Sequence, residues 1–214
     1  VGNRAFGERL SALVVPEAAP LATLLALLTP ATPMLFFGEE FGATAPFLYF
    51  ADWEGELREA VREGRKREFG HATRTVDGRV LELPDACSAQ TFDASRPQRA
   101  ERESARGREW LRMVQAALSA RRQWIVPRQA RLLTGRHSAQ RIGQTGLAVQ
   151  WRYDDGCMLA LEINLGDMPL AVPESHLGPV EPQEVFRHAW PADAPASQWP
   201  AWAARWTFGA EITL

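Results

Sequence analysis

Two apolar segments near the start of the chain predict buried elements. Residues 15–28, VPEAAPLATLLALL, carry apolar side chains on every side of a helix, which predicts that residues 16–28 form a helix buried all round. Thr29-Pro30 ends this helix, because proline disfavours helical geometry in the residue before it. Residues 33–37, PMLFF, form a continuous apolar run bounded by turn residues, which is typical of a strand covered on both faces of a parallel sheet.

The segments that follow are more polar. Residues 41–51 are aromatic and irregular in pattern, whereas residues 54–69 predict a solvated helix with opposite charges at helical spacing. Residues 70–103 contain several turn signals and predict mainly loop, and a loop of that length in a compact domain is usually functional. Residues 104–124 predict an amphipathic helix, because apolar side chains recur there at a period of 3.6 residues.

After Val126-Pro127 the apolar period changes to two, which predicts strands. Residues 147–151 and 157–165 both alternate between apolar and small or polar side chains. Between these runs lies Asp155-Gly156, the strongest short signal for a β-hairpin.

The two halves of the chain therefore differ in kind. Residues 205–208 and 211–214 predict closing strands, so residues 127–214 are expected to form a small antiparallel β-sandwich domain. The buried strand at 33–37 cannot stand alone, because a strand needs neighbours with which to pair. Residues 1–126 contain too few other strands, and we expect them to be the C-terminal remnant of a larger α/β sheet or barrel, where chemistry sits at the carboxyl ends of strands.

Composition and charge argue against several classes of protein. The 214 residues carry a net charge of −2, with 46% apolar and 23% charged residues, so nothing favours binding to nucleic acid or to an anionic membrane. The longest apolar stretch, residues 20–28, is shorter than the roughly 20 residues that cross a bilayer, and no signal peptide is recognisable. Cys87 and Cys157 lie far apart, so a disulfide scaffold is not indicated and a cytoplasmic protein is expected.

The histidines and tryptophans are candidate binding residues. The four histidines are scattered without the spacing of metal ligands, so we expect no metal and no cofactor. Six of the eight tryptophans lie in residues 124–214, which invites a starch-binding interpretation. A core or hinge role is favoured for Trp199, Trp202 and Trp206, since Pro200 interrupts their spacing.

Glu39 and Glu40 directly follow the apolar run at 33–37. Desolvating a carboxylate is costly unless it is paired, and neighbours on a strand point to opposite faces. One acid is therefore expected to face a cleft while the other pairs beside it. Shaping a cleft or pairing with an arginine is favoured over direct catalysis, with a purely structural salt bridge as the alternative. Arg9, beside Glu8, is expected to be solvated or paired.

An aromatic segment follows these acids and contains Phe47, Tyr49, Phe50, Asp52 and Trp53. Aromatic rings beside a carboxylate suit a sugar, because the C–H face of the sugar packs on the ring while the acid accepts hydroxyl protons. Packing beneath a long loop is the competing interpretation, and it is slightly favoured residue by residue.

Four segments in order carry a family resemblance: VGNRAFGERL (1–10), TPATPMLFFGEEFGATAPFLYFADW (29–53), LREAVREGRKREF (57–69) and TFDASRP (91–97). Together they resemble the malto-oligosyltrehalose trehalohydrolases, a branch of the α-amylase family of (β/α)8-barrel glycosidases. The GEE motif is shared across many α-amylase relatives, whereas APFLYFADW and EGRKREF narrow the resemblance to the trehalohydrolase branch.

The resemblance implies a role for the chain. It would be the C-terminal part of a retaining glycosidase that cleaves the α-1,4 bond next to the terminal trehalose of a maltooligosaccharide-type substrate. The family's nucleophile, general acid and stabilising aspartate all precede the segment that matches Val1, so no catalytic residue is assigned here and the isolated chain is expected to be inactive. The chain begins with Val1, not Met, which trimming or excision from a longer chain would explain.

Asn3 and Arg4 closely follow the position of the family's stabilising aspartate. The resemblance places them at the mouth of the site, where they would contact sugar hydroxyls or support the aspartate. Anchoring of a loop is an equally weighted alternative. The expected partners of the chain are the N-terminal barrel and the substrate. The competing functions are a carbohydrate-binding or interaction module and a fragment of another family member, such as a branching or debranching enzyme.

Overall fold

We analysed the protein in a computed structural model, which describes residues 4–76, 78–173 and 180–210. The chain divides into two compact units. The first comprises Val1–Val15 and Phe37–Glu109, and the second comprises Pro16–Phe36 and Trp110–Leu214. The predicted boundary between residues 126 and 127 stays a prediction.

Five α-helices and nine strands lie within the described ranges. The helices are α1 (Ala18–Leu28), α2 (Gly55–Phe69), α3 (Ala89–Ala94), α4 (Arg99–Glu103) and α5 (Ala105–Ala120). The strands are β1 (Arg74–Val76), β2 (Arg79–Leu81), β3 (Leu132–Ile142), β4 (Gly146–Tyr153), β5 (Cys157–Asn164), β6 (Leu170–Ala171), β7 (Val180–His188), β8 (Gln198–Trp199) and β9 (Ala203–Ala210). Helix α5 continues into a π-helical turn, Arg121–Ile125, and then a 3-10 turn, Val126–Arg131.

The second unit is built on an antiparallel sheet of five strands in the order β3-β4-β5-β9-β7. The predicted hairpin at Asp155-Gly156 joins β4 to β5, and Gly156 takes the left-handed φ of +76° that this tight turn requires. The expected antiparallel β domain is therefore present. Strands β6 and β8 form a separate two-stranded sheet. Residues 211–214, predicted as a strand, lie outside the described residues.

The core of the second unit lies on one face of the five-stranded sheet. Period-two alternation points Leu159, Leu161 and Ile163 of β5 to this face, and Trp206 of β9 joins them. Helix α1 covers them with four leucines at helical spacing, and Val114 of α5 packs into the same cluster. The principal members are at most 1% exposed (Leu21, Leu24, Leu27, Leu28, Val114, Leu159, Leu161, Ile163 and Trp206).

A smaller apolar cluster contains Trp190 and Trp199, whose ring centroids are 6.1 Å apart, together with Ile142, Ala148 and Ala203. Trp199 is 1% exposed, and Trp206 lies in the main cluster. Both tryptophans are thus core residues, as predicted, and neither presents a face to a glucan.

The predicted strand at 33–37 is not formed: residues 33–36 carry no helix or strand assignment and Phe37 lies in a turn. Met34 is 89% exposed and Phe37 is 48% exposed. The physical reason is the shortage of neighbouring strands in residues 1–126, which the sequence already indicated. A strand forms only where a neighbour accepts and donates its backbone hydrogen bonds, and none of the described strands pairs with this segment.

Two further expectations need correction. Helix α1 is not buried all round, because Ala26 is exposed. Residues 70–103 are not mainly loop: they contain the hairpin β1–β2 and the short helices α3 and α4. The turn residues in that range connect these short elements. Helix α2 matches its prediction, since none of its residues is buried.

Within the described residues, no helix has both the length and the apolar character needed to cross a membrane.

Candidate functional site

The candidate site lies in the first unit, around the segment 37–53 that follows the predicted strand. Of the residues predicted to bind substrate, Asn3 lies outside the described residues. Arg4 donates a hydrogen bond from Nη1 to the carbonyl oxygen of Glu8, and its own carbonyl accepts one from Nη2 of Arg65 at 3.4 Å. These contacts anchor the N-terminal loop, and a role of Arg4 in sugar binding stays a prediction.

Glu39 and Glu40 lie on a 3-10 turn, Glu39–Phe41, and not at the end of a strand. The turn is bounded by Gly38 at φ +85° and Gly42 at φ +66°, left-handed conformations that glycine adopts without steric cost. The expectation that the two acids point to opposite faces of a strand is therefore wrong. Both are half-buried.

Arg9 is the cation on which the charges of these acids act. It is only 4% exposed, and its Nε donates to the carbonyl oxygen of Ala45 at 2.7 Å. Burial lowers the pKa of the Arg9 guanidinium, while the negative charges of Glu39, Glu101 and Glu40 act in the opposite direction.

Sequence reasoning expected Arg9 to be solvated or paired and did not single it out for the site. The available signal was the acid pair at 39–40, whose desolvation demands a nearby cation. The residues near the acid pair in the sequence do not identify which cation this is. The guanidinium of Arg9 lies close to the backbone of Gly38, because a Cβ on Gly38 would lie 3.2 Å from Nη2 of Arg9.

The loop after the acid pair is held by three side chains. Arg9 binds Ala45, and Nη1 of Arg106 donates to the carbonyl oxygen of Gly42 at 2.8 Å. Oε2 of Glu101 accepts hydrogen bonds from the backbone N–H of Thr44 at 2.6 Å and from its hydroxyl at 2.8 Å.

The pKa of Glu101 is lowered by these contacts. Burial is the largest single influence and raises the pKa, but the hydrogen bonds from Thr44 and from the backbone of Gln98, with the charge of Arg9, together outweigh it. A charged Glu101 therefore suits its role as the acceptor that holds the loop.

Two of the predicted aromatic residues, Phe47 and Phe50, lie in a continuous row that also contains Phe37 and Phe92. The ring centroids of Phe37 and Phe47 are 5.6 Å apart, those of Phe47 and Phe50 are 5.6 Å apart, and those of Phe50 and Phe92 are 5.1 Å apart. All three pairs are edge-to-face, the geometry that the quadrupole of an aromatic ring favours. Tyr49 lies outside this row, and its ring packs 5.0 Å from the guanidinium carbon of Arg65.

Phe92 was missed by sequence reasoning, because it lies in a segment that was predicted to be mainly loop. Its partner Phe50 lines a cavity of about 440 Å³ together with Asp52, Cys87 and Phe92. Asp52 is exposed at this cavity. The structure thus brings Phe47, Phe50 and Asp52 into one region.

A second cavity, of about 420 Å³, is lined by charged residues that include Arg62 and Asp85. Arg62 donates to both carboxylate oxygens of Asp85, from Nε at 3.0 Å and from Nη2 at 2.6 Å. The Arg62 hydrogen bonds hold the pKa of Asp85 below its usual value, with help from the backbone N–H of Cys87. This pair joins α2 to the segment before α3.

In chemical terms, the site offers aromatic surface and the exposed carboxylate of Asp52, groups that can bind and orient a polyhydroxyl ligand. The guanidinium of Arg9 is buried and holds the loop. Within the described ranges, no group of three or more His, Cys, Asp or Glu side chains is arranged to hold a metal ion.

Comparison with known proteins gives consistent results. The chain is 41% identical over 123 residues to the malto-oligosyltrehalose trehalohydrolase of Deinococcus radiodurans, a match that covers 58% of this chain and 20% of that protein. It is 38% identical over 133 residues to the enzyme of the same name from Rhizobium sp., covering 62% of this chain and 21% of that protein. The chain spans about a fifth of the length of these curated relatives.

Residues 134–206 match a family model described as a domain of unknown function, DUF3459. A crystal structure from Salmonella typhimurium, described as that of a candidate α-amylase, is 31% identical with a TM-score of 0.83, covering 98% of this chain and 33% of that one. The catalytic module of the pneumococcal glycogen-degrading protein SpuA shares the fold at 12% identity and a TM-score of 0.52, covering 92% of this chain and 31% of that one.

The chain is similar in sequence and fold to the structure described as a candidate α-amylase, and its similarity to the malto-oligosyltrehalose trehalohydrolases, predicted from its motifs, is confirmed.

Proposed function

We propose that this chain is the C-terminal part of a malto-oligosyltrehalose trehalohydrolase. In this proposal residues 1–126 complete a (β/α)8 catalytic barrel and residues 127–214 form its C-terminal β domain. The observation that carries the proposal is the 41% identity over 123 residues to the Deinococcus radiodurans enzyme.

The proposed reaction of the whole protein is hydrolysis of the α-1,4 bond next to the terminal trehalose of maltooligosyl trehalose. A retaining glycosidase uses two carboxyl groups about 5–5.5 Å apart, one as nucleophile and one as acid and base. We assign both to the N-terminal part of the barrel, so the isolated chain has no hydrolase activity. The proposal needs no cofactor, and it assigns the protein to the cytoplasm.

In this scheme the segment 37–53 supplies part of the rim of the substrate cleft. Glu39 and Glu40 compensate the charge of buried Arg9 and so fix the turn that they occupy. The row from Phe37 to Phe92 presents aromatic surface, which suits the C–H faces of glucosyl units.

A hybrid protein tests the proposal directly. The segment of the Deinococcus radiodurans enzyme that aligns with this chain would be replaced by it, and trehalose release from maltooligosyl trehalose would be measured. We expect the hybrid to release trehalose and the chain alone to release none. Enzymatic release of trehalose by the isolated chain, or a folded hybrid without activity, would contradict the proposal.

Product analysis on the full-length protein distinguishes the competing enzyme functions, because the hybrid takes its catalytic carboxyl groups from the Deinococcus radiodurans enzyme. Transfer or removal of α-1,6 branches, without release of trehalose, would instead indicate a branching or debranching enzyme. A binding module predicts saturable binding of maltooligosaccharides by residues 127–214, whereas we expect none there, because Trp199 and Trp206 are buried.

A further inference from the structure

The five-stranded sheet of the second unit has two edges that differ in how they are protected from further pairing. Strand β7, at one edge, contains Pro182, which cannot donate a backbone hydrogen bond, and its pairing with β9 shifts register twice. Glu181 of the same strand has a φ of +46°. Proline, charge and irregular register are features that keep an edge strand from accepting a further strand.

Strand β3, at the other edge, is regular over its second half. Residues 137–142 pair in unbroken register with residues 146–151 of β4, and among the described strands β3 pairs with β4 alone. Every residue from Leu133 to Arg141 is exposed. Alternate residues of an edge strand direct their N–H and C=O groups away from the sheet. This stretch therefore offers a regular row of backbone groups to an additional strand.

The charge around β3 is of one sign. Residues 110–153 contain eight arginines and no aspartate, glutamate or lysine, although the whole chain carries a net charge of −2. The net charge of the whole chain hides this segregation. Arg131, which directly precedes the strand, is neutralised by Asp154 at 2.7 Å and by Asp155 at 3.3 Å. The cations within β3 have a different environment.

Arg136 and Arg141 keep their positive charge uncompensated on the exposed stretch of β3. Within the described ranges neither has an acidic partner, and Nη2 of Arg141 donates to the carbonyl oxygen of Gln144 at 3.0 Å. Side chains alternate between the faces of a sheet, so these two arginines point to opposite faces. A strand added at this edge therefore meets a cation on each of its faces.

These charges discriminate between the strands that could pair here. If β3 paired with β3 of a second copy, arginines would face arginines, and like charges on neighbouring strands are destabilising. Pairing of β3 with β7 of a second copy would meet Pro182 and the shifted register of that edge. An extended segment rich in aspartate or glutamate instead places opposite charges side by side across the new pair of strands.

We propose that the free edge of β3, residues 136–142, binds an extended acidic segment of a partner protein, which adds to the sheet as an additional strand. Backbone hydrogen bonds supply the affinity in this mode of recognition, and side chains supply the specificity. Arg136 and Arg141 provide the preference for an acidic segment. The inference does not depend on the proposed hydrolase function, because it concerns the second unit and no residue of the candidate site.

Synthetic peptides test the backbone and the charge separately. A fluorescein-labelled peptide of alternating glutamate and valine, about eight residues long, would be titrated with the full chain and followed by fluorescence anisotropy. One matched peptide has lysine in place of glutamate. The other keeps glutamate and valine but carries a methyl group on every backbone nitrogen. We expect saturable binding of the acidic peptide and at least about tenfold weaker binding of both matched peptides.

Substitutions in the chain then assign the charge. The double variant Arg136→Gln with Arg141→Gln should weaken binding of the acidic peptide about fivefold, because two cross-strand charge pairs are lost. The matched control is Arg99→Gln with Arg122→Gln, which removes the same charge at exposed positions outside β3 and should bind like the unmodified chain. If circular dichroism shows that a variant is unfolded, the three peptides decide the matter on the unmodified chain.

Several results would overturn the proposal. Equal binding of the acidic peptide and its N-methylated form would show that charge alone holds the peptide, without an added strand. Binding of a single-stranded RNA oligonucleotide but not of the peptide would assign the arginines to phosphate recognition. Dimerisation of the chain in analytical ultracentrifugation, without binding of the peptide, would assign the edge to a second copy. Absence of all binding would overturn the docking surface altogether.

The hybrid protein separates this inference from the proposed function. We expect the hybrid to bind the acidic peptide as tightly as the chain alone. A hybrid that releases trehalose but does not bind the peptide would show that the rest of the barrel covers the edge of β3, and the docking proposal would fail alone. A hybrid that binds the peptide but releases no trehalose would support the docking surface and contradict the hydrolase proposal.

Discussion

Nη1 of Arg121 donates a hydrogen bond to the carbonyl oxygen of Leu27 at 2.9 Å, which ties the π-helical turn after α5 to the last turn of α1. The same guanidinium also reaches the carbonyl oxygens of Thr29 at 2.6 Å and Ala31 at 2.7 Å. The last carbonyl groups of a helix have no partner within the helix. One buried arginine therefore satisfies the end of α1 and the loop that follows it.

Replacing this arginine should destabilise the second unit. Arg121→Met keeps much of the apolar volume but leaves buried carbonyl groups without donors, which should lower the free energy of unfolding by about 2–4 kcal/mol. Denaturation in guanidinium chloride measures the loss. Arg122→Met is the control, because Arg122 is the exposed neighbour. Equal stability of the two variants would show that the carbonyl contacts contribute little.

Ser95 should be similarly important in the first unit. It is 2% exposed, and Ser95→Ala leaves the N–H of Leu48 without its acceptor. The expected loss is about 1–3 kcal/mol in the free energy of unfolding, since a buried donor without a partner carries its full desolvation penalty. Ser119→Ala, at an exposed position of α5, should be neutral or slightly stabilising. A neutral Ser95→Ala would indicate that water replaces the hydroxyl.

The Asp85–Arg62 pair should make stability depend on pH in the acid range. Because the pKa of Asp85 is lower in the folded state, its contribution is fully present above the usual carboxyl value of 3.8 and is lost as the pH falls through the folded pKa. The melting temperature of the unmodified protein should therefore fall more steeply below about pH 4 than that of Asp85→Asn. Asp193→Asn, at an exposed position, should follow the unmodified protein; parallel curves for all three would count against the pair.

Gly7 should not tolerate a side chain. It has a φ of +60°, and a Cβ would lie 2.1 Å from the carbonyl oxygen of Phe47. Gly55 is the matched control, with a φ of +56° and no atom within 4 Å of its Cβ position. Gly55→Ala should cost about 1–2 kcal/mol from backbone strain alone. Gly7→Ala should cost clearly more in thermal denaturation, because it also displaces the backbone of the aromatic segment.

The acid pair should support activity without performing the chemistry. In the hybrid protein, Glu39→Gln or Glu40→Gln should lower kcat/KM for trehalose release by less than about a hundredfold, since their proposed role is to hold Arg9 and the turn. A loss of about 10⁴-fold or more with normal folding would instead identify a catalytic carboxylate.

Structural features that depend only on nearby residues can be predicted from the sequence. Asp155-Gly156, the alternation in β4 and β5, and the period of α5 arise from turn geometry and side-chain spacing, which neighbouring residues set. Each was predicted correctly. For the candidate site, the sequence suggested Phe47, Phe50 and Asp52 from composition, but Phe92 was hidden in a segment without a clear period.

Residues 33–37 and Arg9 show where local pattern stops being sufficient. The pattern of an apolar run is the same whether or not another strand lies beside it. The run at 33–37 has no partner among the described strands. Likewise, the residues next to Arg9 in the sequence cannot reveal that the charges of Glu39, Glu40 and Glu101 act on it. Its burial depends on segments that are distant in the chain. Local preference thus specified helices, hairpin and strand alternation, whereas the burial of charge and the pairing of strands were settled by contacts made only on folding.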